Sequence, residues 1–330
     1  MPSLQTLAQY ASNIFHLSQI QKPLLSSTLS NQRPFSLQPN THTSSFEHTC
    51  PIDSPTSCHN STAYPDSCCF IYPGGQLLQT QFWDTSPSIG PEDSWTLHGL
   101  WPDLCDGSYP TFCTAAPMYH NITAILSSHN ASLPPSTSEL KSQSKSLSTS
   151  ESESESTTTS SLLSYMQTYW LPNRGSADSF WEHEWNKHGT CINTLAPSCY
   201  SSSSSSPPYN SNNPDSGLTT KDYSSGDEVV DFFTRAVSLF RELDTYTALK
   251  KAGIVPSTTR TYRREEISEA LKEVTGFDVL VRCRGGRLNE VWYSFNVKGS
   301  LQEGEFVPSE PVGKMGRGGC PEGGVRYLPK

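Results

Sequence analysis

Ten cysteines, all between Cys50 and Cys320, constrain this 330-residue chain more than any other feature. They stand at positions 50, 58, 68, 69, 105, 113, 191, 199, 283 and 320. The count is even, and the spacing fits neither paired CxxC metal knuckles nor a thioredoxin-like motif. An oxidised framework of bridges is the leading reading, and it belongs to an oxidising compartment. Three N-glycosylation sequons agree with that compartment: Asn60-Ser-Thr, Asn121-Ile-Thr and Asn130-Ala-Ser. Residues 1–49 carry no cysteine, few charges and scattered prolines. They read as an N-terminal extension outside the fold, disordered or targeting. A secretory signal needs a basic start and an apolar core of about 7–15 residues. Met1 to Leu25 has no Lys or Arg before Lys22, and Gln, Ser and Asn interrupt its apolar residues. The cysteines outweigh that segment, so a secreted or vacuolar protein is expected even without a clear signal peptide.

The core must be concentrated within part of the chain. Hydrophobic residues are 34%, and the 21 glycines bring the apolar share to about 40%, below the ~45–50% usual for globular domains. The dilution lies in two segments. Between Ser132 and Ser161, 13 of 30 residues are serine, including Glu151-Ser-Glu-Ser-Glu-Ser156. A second stretch runs from Ser201 through Pro207 and Pro208 to Gly217. Neither buries enough apolar surface to offset ordering entropy, so 132–161 and 201–217 are expected to be disordered surface insertions in a single 50–330 domain. The acidic serine run is either a phosphorylation target or a solvated loop. No apolar run approaches the ~18 residues of a membrane span, which excludes an integral helical membrane protein. The net charge of -9 (23 basic, 32 acidic) argues against wrapping long nucleic acid through many phosphates. It leaves room for a small cationic pocket that handles one phosphate.

Hydrophobic periodicity predicts strands at Cys69–Tyr72 and Leu77–Trp83, separated by the turn residues Pro73-Gly74-Gly75. It predicts another at Asp93–Leu100, with Trp95 and Leu97 on one side and Thr96 and His98 on the other. Ser179–His188 reads as a helix with a Ser179…Glu182 capping box and Gly189 as its stop. Asp227–Lys251 reads as one long helix on the stripe Val229, Val230, Phe233, Val237 and Phe240, and Glu265–Thr275 as another. Strands at Asp278–Cys283 and Arg287–Val297 are joined by a Gly285-Gly286 hairpin. Strands and helices do not alternate strictly, so the fold class expected is α+β, a mostly antiparallel central sheet flanked by helices and stabilised by disulfides.

Two segments mix ionisable residues with tryptophan: Ser94-Trp-Thr-Leu-His98-Gly-Leu-Trp101-Pro-Asp103, and Phe180-Trp-Glu-His183-Glu184-Trp-Asn-Lys187-His188-Gly-Thr-Cys191. At 100° per residue, His183, Lys187, Glu184 and His188 fall at about 0°, 40°, 100° and 140°. Trp181 and Trp185 border that arc, and Glu182 and Asn186 face away. A cationic pair with a carboxylate on one arc suits an anion that gains charge in a transition state. The rival is zinc. A zincin helix carries HExxH, with histidines four apart. Here they are five apart and diverge by about 140°, so no metal is expected. His16, His42, His48, His59, His120 and His129 read as ordinary histidines.

Together these segments resemble the two catalytic segments of the ribonuclease T2 family, acid endoribonucleases of fungi, plants and animals. The resemblance runs from about Cys50 to Cys320. It implies the bridges Cys50–Cys69, Cys58–Cys105, Cys68–Cys199, Cys113–Cys191 and Cys283–Cys320. A direct Cys68–Cys69 bond would be a strained vicinal bridge, which also favours separate partners. The resemblance implies an endonuclease that cleaves single-stranded RNA without metal or cofactor. The 2′-OH attacks the adjacent phosphorus to give a 2′,3′-cyclic phosphate, which water then opens to a 3′-phosphate. His188 is similar to the family's base and His98 to its acid, an assignment that can be exchanged. His183 resembles the phosphate binder, and Lys187 with Glu184 the stabilisers of the pentacoordinate phosphate. Opposite protonation needs at two histidines imply a bell-shaped pH profile.

Trp101, Asp103 and Tyr109 match the family's first base pocket, and Phe180 is expected at a second base. An aromatic face tolerates any base, so little base specificity is expected. Asp103 can accept from an exocyclic amine or simply form a turn after Pro102, and Phe180 can stack or pack in the core. A monomer that cuts neither DNA nor acts at a membrane is expected. The alternative is a family member that binds RNA or is cytotoxic without turnover, and the intact His98, His183, Glu184, Lys187 and His188 set argues against it.

Overall fold

The computed structural model describes residues 50–59, 66–136, 161–200, 222–313 and 318–330, all within one compact unit. Residues 1–49, the sequon at Asn60, residues 137–160 and the stretch 201–217 lie outside the described residues. Five strands carry the fold: β1 Gln76–Phe82, β2 Thr96–Asp103, β3 Leu280–Arg284, β4 Arg287–Lys298 and β5 Glu305–Pro308. They form one sheet in the order β2-β1-β4-β3, with β5 also paired to β4, and every ladder is antiparallel. Gly285 and Gly286 turn β3 into β4 with φ of 58° and 71°, the left-handed pair a two-residue hairpin demands. Six α-helices accompany the sheet among the described residues: α1 Ile122–His129, α2 Leu162–Tyr169, α3 Ala177–Lys187, α4 Asp227–Glu242, α5 Thr245–Lys251 and α6 Arg264–Thr275.

One sheet face is apolar and covered. Leu97 and Leu100 of β2, Leu77 of β1 and Val291, Tyr293 and Phe295 of β4 share the main core with Val229, Phe232, Phe233, Ala236 and Val237 of α4. Burying such side chains contributes roughly 1.5–3 kcal/mol each before ordering entropy is counted. The register puts Leu78, Thr80 and Phe82 of β1 opposite Trp101, Gly99 and Thr96 of β2. The same three residues lie opposite Ser294, Trp292 and Glu290 of β4. That second face carries the polar and aromatic residues of the site.

The ten cysteines form Cys50–Cys69, Cys58–Cys105, Cys68–Cys199, Cys113–Cys191 and Cys283–Cys320, the same pairs that the resemblance implies.

Several expectations about elements are corrected. Cys69–Tyr72 is not a strand: Ser67–Cys69 is a 3-10 turn, and the backbone beyond it is held by one side chain. Asn193 accepts from Tyr72 N–H and donates to the carbonyls of Ser67 and Phe70, so no ladder is needed there. β2 starts at Thr96, not Asp93, and runs on through Asp103. α3 begins two residues early because Ser176 is its cap, accepting from Ser179 N–H. The long 227–251 helix is two. Buried Gln81 donates to the Leu243 carbonyl, and Asp244 caps Thr247 N–H, which stops α4 and starts α5. Asn186, on the side of α3 turned from the ionisable arc, is buried against a loop. It donates to Tyr119 O and accepts from Tyr119 N–H, pinning the 112–121 loop as a paired strand would. The ends of the 132–161 insertion belong to the fold: Ser132 pairs with Ser161, Leu133 is buried, and Arg241 donates to Pro134 O.

Buried ionisable groups gather where α4 begins. Tyr200 donates to Asp231 at 2.9 Å, and burial pushes the Asp231 carboxyl up to about 7. The folded chain therefore holds a proton there that the unfolded chain, with a carboxyl near 3.8, has already released between those two values. This contribution to stability is full below the unfolded value and is lost as pH rises through about 7. Asp231→Asn, which keeps an acceptor for Tyr200 and cannot ionise, is expected to flatten the fall in Tm between pH 4 and 7. Calorimetry over that range checks it, and an unchanged slope refutes it.

Candidate active site

The site grows from a defect in β2. Leu97 pairs with Gln81 and Gly99 with Thr80, so His98 is an extra residue in the strand, a β-bulge. Bulges kink a strand and re-aim a side chain. The His98 ring lies on Phe82 of β1, with centroids 3.8 Å apart and planes 21° apart. Its Nδ1 is 2.6 Å from Glu290 Oε1 on β4, and its Nε2 is 3.9 Å from Glu184 Oε1 on α3. The indole N–H of Trp170 holds the His98 carbonyl, and the indole N–H of Trp181 holds the Trp170 carbonyl in turn.

α3 delivers the second set. Trp181 and Trp185 anchor it in the core, which leaves His183 exposed, Lys187 half-buried, and Glu184 and His188 buried. Glu184 Oε2 accepts the indole N–H of Trp101 at 2.8 Å. This contact exists because residue 99 is glycine: a Cβ there would stand 2.1 Å from Glu184 Oε2 and 2.4 Å from Trp101 Nε1. Trp101 also stacks on His188, with centroids 5.0 Å apart and planes 20° apart, and meets Trp292 edge-on at 5.3 Å. The rings of His183 and His188 lie 6.4 Å apart. The Cys113–Cys191 bridge ties the 112–121 loop to the end of α3. Phe112 N–H donates to Lys187 O, and the Phe112 ring sits 6.2 Å from His183.

The two central imidazoles have opposite surroundings. His98 has a carboxyl group beside each nitrogen, Glu290 at 2.6 Å and Glu184 at 3.9 Å. His188 is buried, and its Nε2 has no hydrogen-bond partner among the described residues. Burial first, then the charges of Lys187, His183 and His98, push the His188 pKa down to about 2. His183, although exposed as a residue, is lowered by partial loss of hydration around its ring and then by Lys187 and His98. Burial lifts Glu184 to about 7, against the pull of His98, Trp101 and Lys187. In mild acid Glu184 therefore carries a proton and can donate to a phosphoryl oxygen that an anionic carboxylate would repel.

His98, His183, Glu184, Lys187 and His188 are thus brought to one centre. Phe180 joins them, half-buried, with its ring 5.9 Å from His98. Trp101 lies inside the cluster, its indole committed to His188 and Glu184. Asp103 ends β2 on the same face, and burial raises its carboxyl to about 7. Tyr109 is 70% exposed in the loop after β2 and makes no ring contact with the cluster among the described residues. Asn121 and Asn130 are exposed at the two ends of α1. The sequence reading missed Glu290, Phe82 and Phe112. A signal for Glu290 was present: it is the lone acid within the Arg287–Val297 strand pattern. Among the described residues, no group of three or more His, Cys, Asp or Glu side chains is placed to hold a metal ion.

Comparison with known proteins gives one answer. The sequence profile of the Ribonuclease T2 family matches residues 64–303. Ribonuclease T2 of Aspergillus oryzae is 46% identical over 282 residues, covering 85% of this chain and 84% of its own. Ribonuclease Trv of Hypocrea rufa is 47% identical over 282 residues, covering 86% of this chain and 98% of its own. The crystal structure of Actibind, described as a T2 ribonuclease, superposes with a TM-score of 0.64 at 43% identity, covering 86% of this chain and 98% of its own.

Proposed function

The chain belongs to the ribonuclease T2 family and is an RNA endonuclease, and from that premise we propose that His188 is its base and His98 its acid. The opposite surroundings of the two imidazoles carry this reading. A base must arrive unprotonated with a free lone pair. His188 is kept neutral by burial and by its cationic neighbours, and its Nε2 is unclaimed among the described residues. An acid needs a ring held so that one nitrogen faces the leaving oxygen, and Glu290 holds the His98 ring at Nδ1.

His188 Nε2 takes the proton of the ribose 2′-OH. The 2′ oxygen forms a bond to phosphorus, the bond from phosphorus to the 5′ oxygen breaks, and His98 Nε2 gives that oxygen its proton. A phosphate between His183 and Lys187 offsets the cations that add to the effect of burial on His188, which raises its basicity when transfer occurs. Lys187 and the protonated Glu184 meet the charge that gathers on the phosphoryl oxygens, where preorganised donors act most strongly. Water then opens the cyclic phosphate with the two histidines in reversed roles, which returns both to their starting protonation. Trp101 fixes Glu184 and His188 and lends its remaining edge to a base. Phe180, Asp103 and Tyr109 extend the binding surface, and the aromatic faces favour single strands of any sequence.

The bridges and the exposed sequons Asn121 and Asn130 support a glycosylated protein of an oxidising, acidic compartment, extracellular or vacuolar. Among the described residues no helix is long and apolar enough to cross a membrane. The purified protein is expected to degrade single-stranded RNA in EDTA and to release 2′,3′-cyclic phosphates before 3′-phosphates. Mass analysis of a timed digest tests this, and loss of cleavage on chelation would overturn the metal-free route.

A further inference from the structure

We propose that Glu290 is the positioning residue of His98, a carboxylate that accepts the Nδ1 proton and so fixes the tautomer whose Nε2 faces the cleft. The argument starts from the sheet. Two bulges flank β1. His98 is the extra residue of β2, and Asn289 is the extra residue of β4, where Arg282 pairs with Glu290 and Cys283 with Leu288. Each bulge adjoins one member of the pair. Phe82 lies between them, opposite Glu290 in register and under the His98 ring. The imidazole thus lies flat on a phenyl ring with its Nδ1 edge against the carboxylate at 2.6 Å.

Glu290 is itself held. Its side chain is only 11% exposed, and Arg282 Nε faces its second oxygen at 3.6 Å while the guanidinium stacks 4.6 Å over Trp292. A bulge at Asn289 is anchored by its side chain, which donates to Trp83 O and Asp84 Oδ1. The charged and titratable groups around His98 are therefore Glu290 and Arg282 from the sheet, Asp84 after β1, and Glu184, His183 and His188 at α3. Only Glu290 reaches a His98 nitrogen at hydrogen-bond distance among the described residues. With Nδ1 occupied, Nε2 is the one nitrogen left for the leaving oxygen. Which ring nitrogen acts is set by the bond that the other one makes.

This role rests on His98 as the acid, and the test separates the two. Glu290→Gln and Glu290→Ala are compared with His98→Ala on RNA and on a nucleoside 3′-(4-nitrophenyl phosphate), whose phenolate leaves without a proton. Glu290→Ala is expected to lose roughly 10²-fold in kcat on RNA with KM within about twofold, a loss between those measured for partners of metal-bound histidines and for the aspartate of a serine-protease triad, and Glu290→Gln, whose amide oxygen still accepts from Nδ1, is expected to lose less. On the aryl ester they are expected to return to near wild-type turnover, as His98→Ala does. Imidazole ¹⁵N spectra of the neutral protein are expected to show His98 protonated at Nδ1 in the wild type and at Nε2 in Glu290→Ala. Wild-type kcat on RNA for Glu290→Ala, or an unchanged tautomer in Glu290→Ala, overturns the proposal. If His98→Ala loses as much on the aryl ester as on RNA, the acid assignment falls instead, and the spectra still decide the role of Glu290.

Discussion

Replacing His188 with alanine is expected to lower kcat on RNA by about 10²–10⁴-fold, the span that one positioned proton-transfer group contributes. Beyond its proposed role as base the ring packs: it is 6% exposed and stacks on Trp101. A drop in activity could therefore come from a collapsed site. His188→Asn fills more of the space and separates the cases, since it restores packing without a base of useful strength. Both variants should lose turnover alike while near-ultraviolet dichroism keeps the wild-type signal of the buried tryptophans. His98→Ala should fall by a similar factor, and the double variant by far less than the product of the two, because acid and base serve one transition state. Near-native turnover in either single variant would remove that residue from the mechanism.

The second large effect concerns stability. Cys68 and Cys199 are separated by 131 residues, the widest span of the five bridges. A bridge acts mainly by restricting the unfolded chain, more so for long loops, and losing one costs about 2–5 kcal/mol. The double variant Cys68→Ser, Cys199→Ser is expected to melt roughly 5–15 °C lower, at about 2–4 °C per kcal/mol for a domain of this size. Its kcat at 25 °C should be close to wild type, since the bridge sits with Tyr200 in a small apolar cluster apart from the main core. Differential scanning calorimetry decides it, and a shift under about 2 °C would show that the other four bridges already hold the chain.

Sequence pattern carried much of this fold, and its failures have physical reasons. α3 was legible because its indoles border an ionisable arc, and an arc that is both charged and walled by tryptophan has little use on a solvated face. Asn186 lies on the far side of that same wheel, but a helix angle says nothing about the loop that covers it there. Cys69–Tyr72 looked like a strand because an apolar triplet has no period of its own. Its backbone was instead taken up by Asn193, more than 120 positions away. The 227–251 stripe hid a break at Asp244 because the cause, the Gln81 side chain, lies on another element. His98, His183, Glu184, Lys187 and His188 lie in two short segments, so one strand and one helix suffice to present them. Glu290 reaches His98 across 192 positions and two strand pairings, and only the register shows that they meet. The contacts of Trp101 were hidden for the same reason: its ring lies on His188 and its N–H is held by Glu184, 83 positions away.

Ser132 and Ser161 form an isolated bridge, so two positions far apart in sequence are joined at one point of the folded body. A segment closed at such a point is a matter of length, and length is cheap: doubling a loop between fixed ends costs only about 0.6 kcal/mol. For a protein engineer this is the graft point, where a reporter or a second domain could be spliced while β2 and α3 keep their spacing.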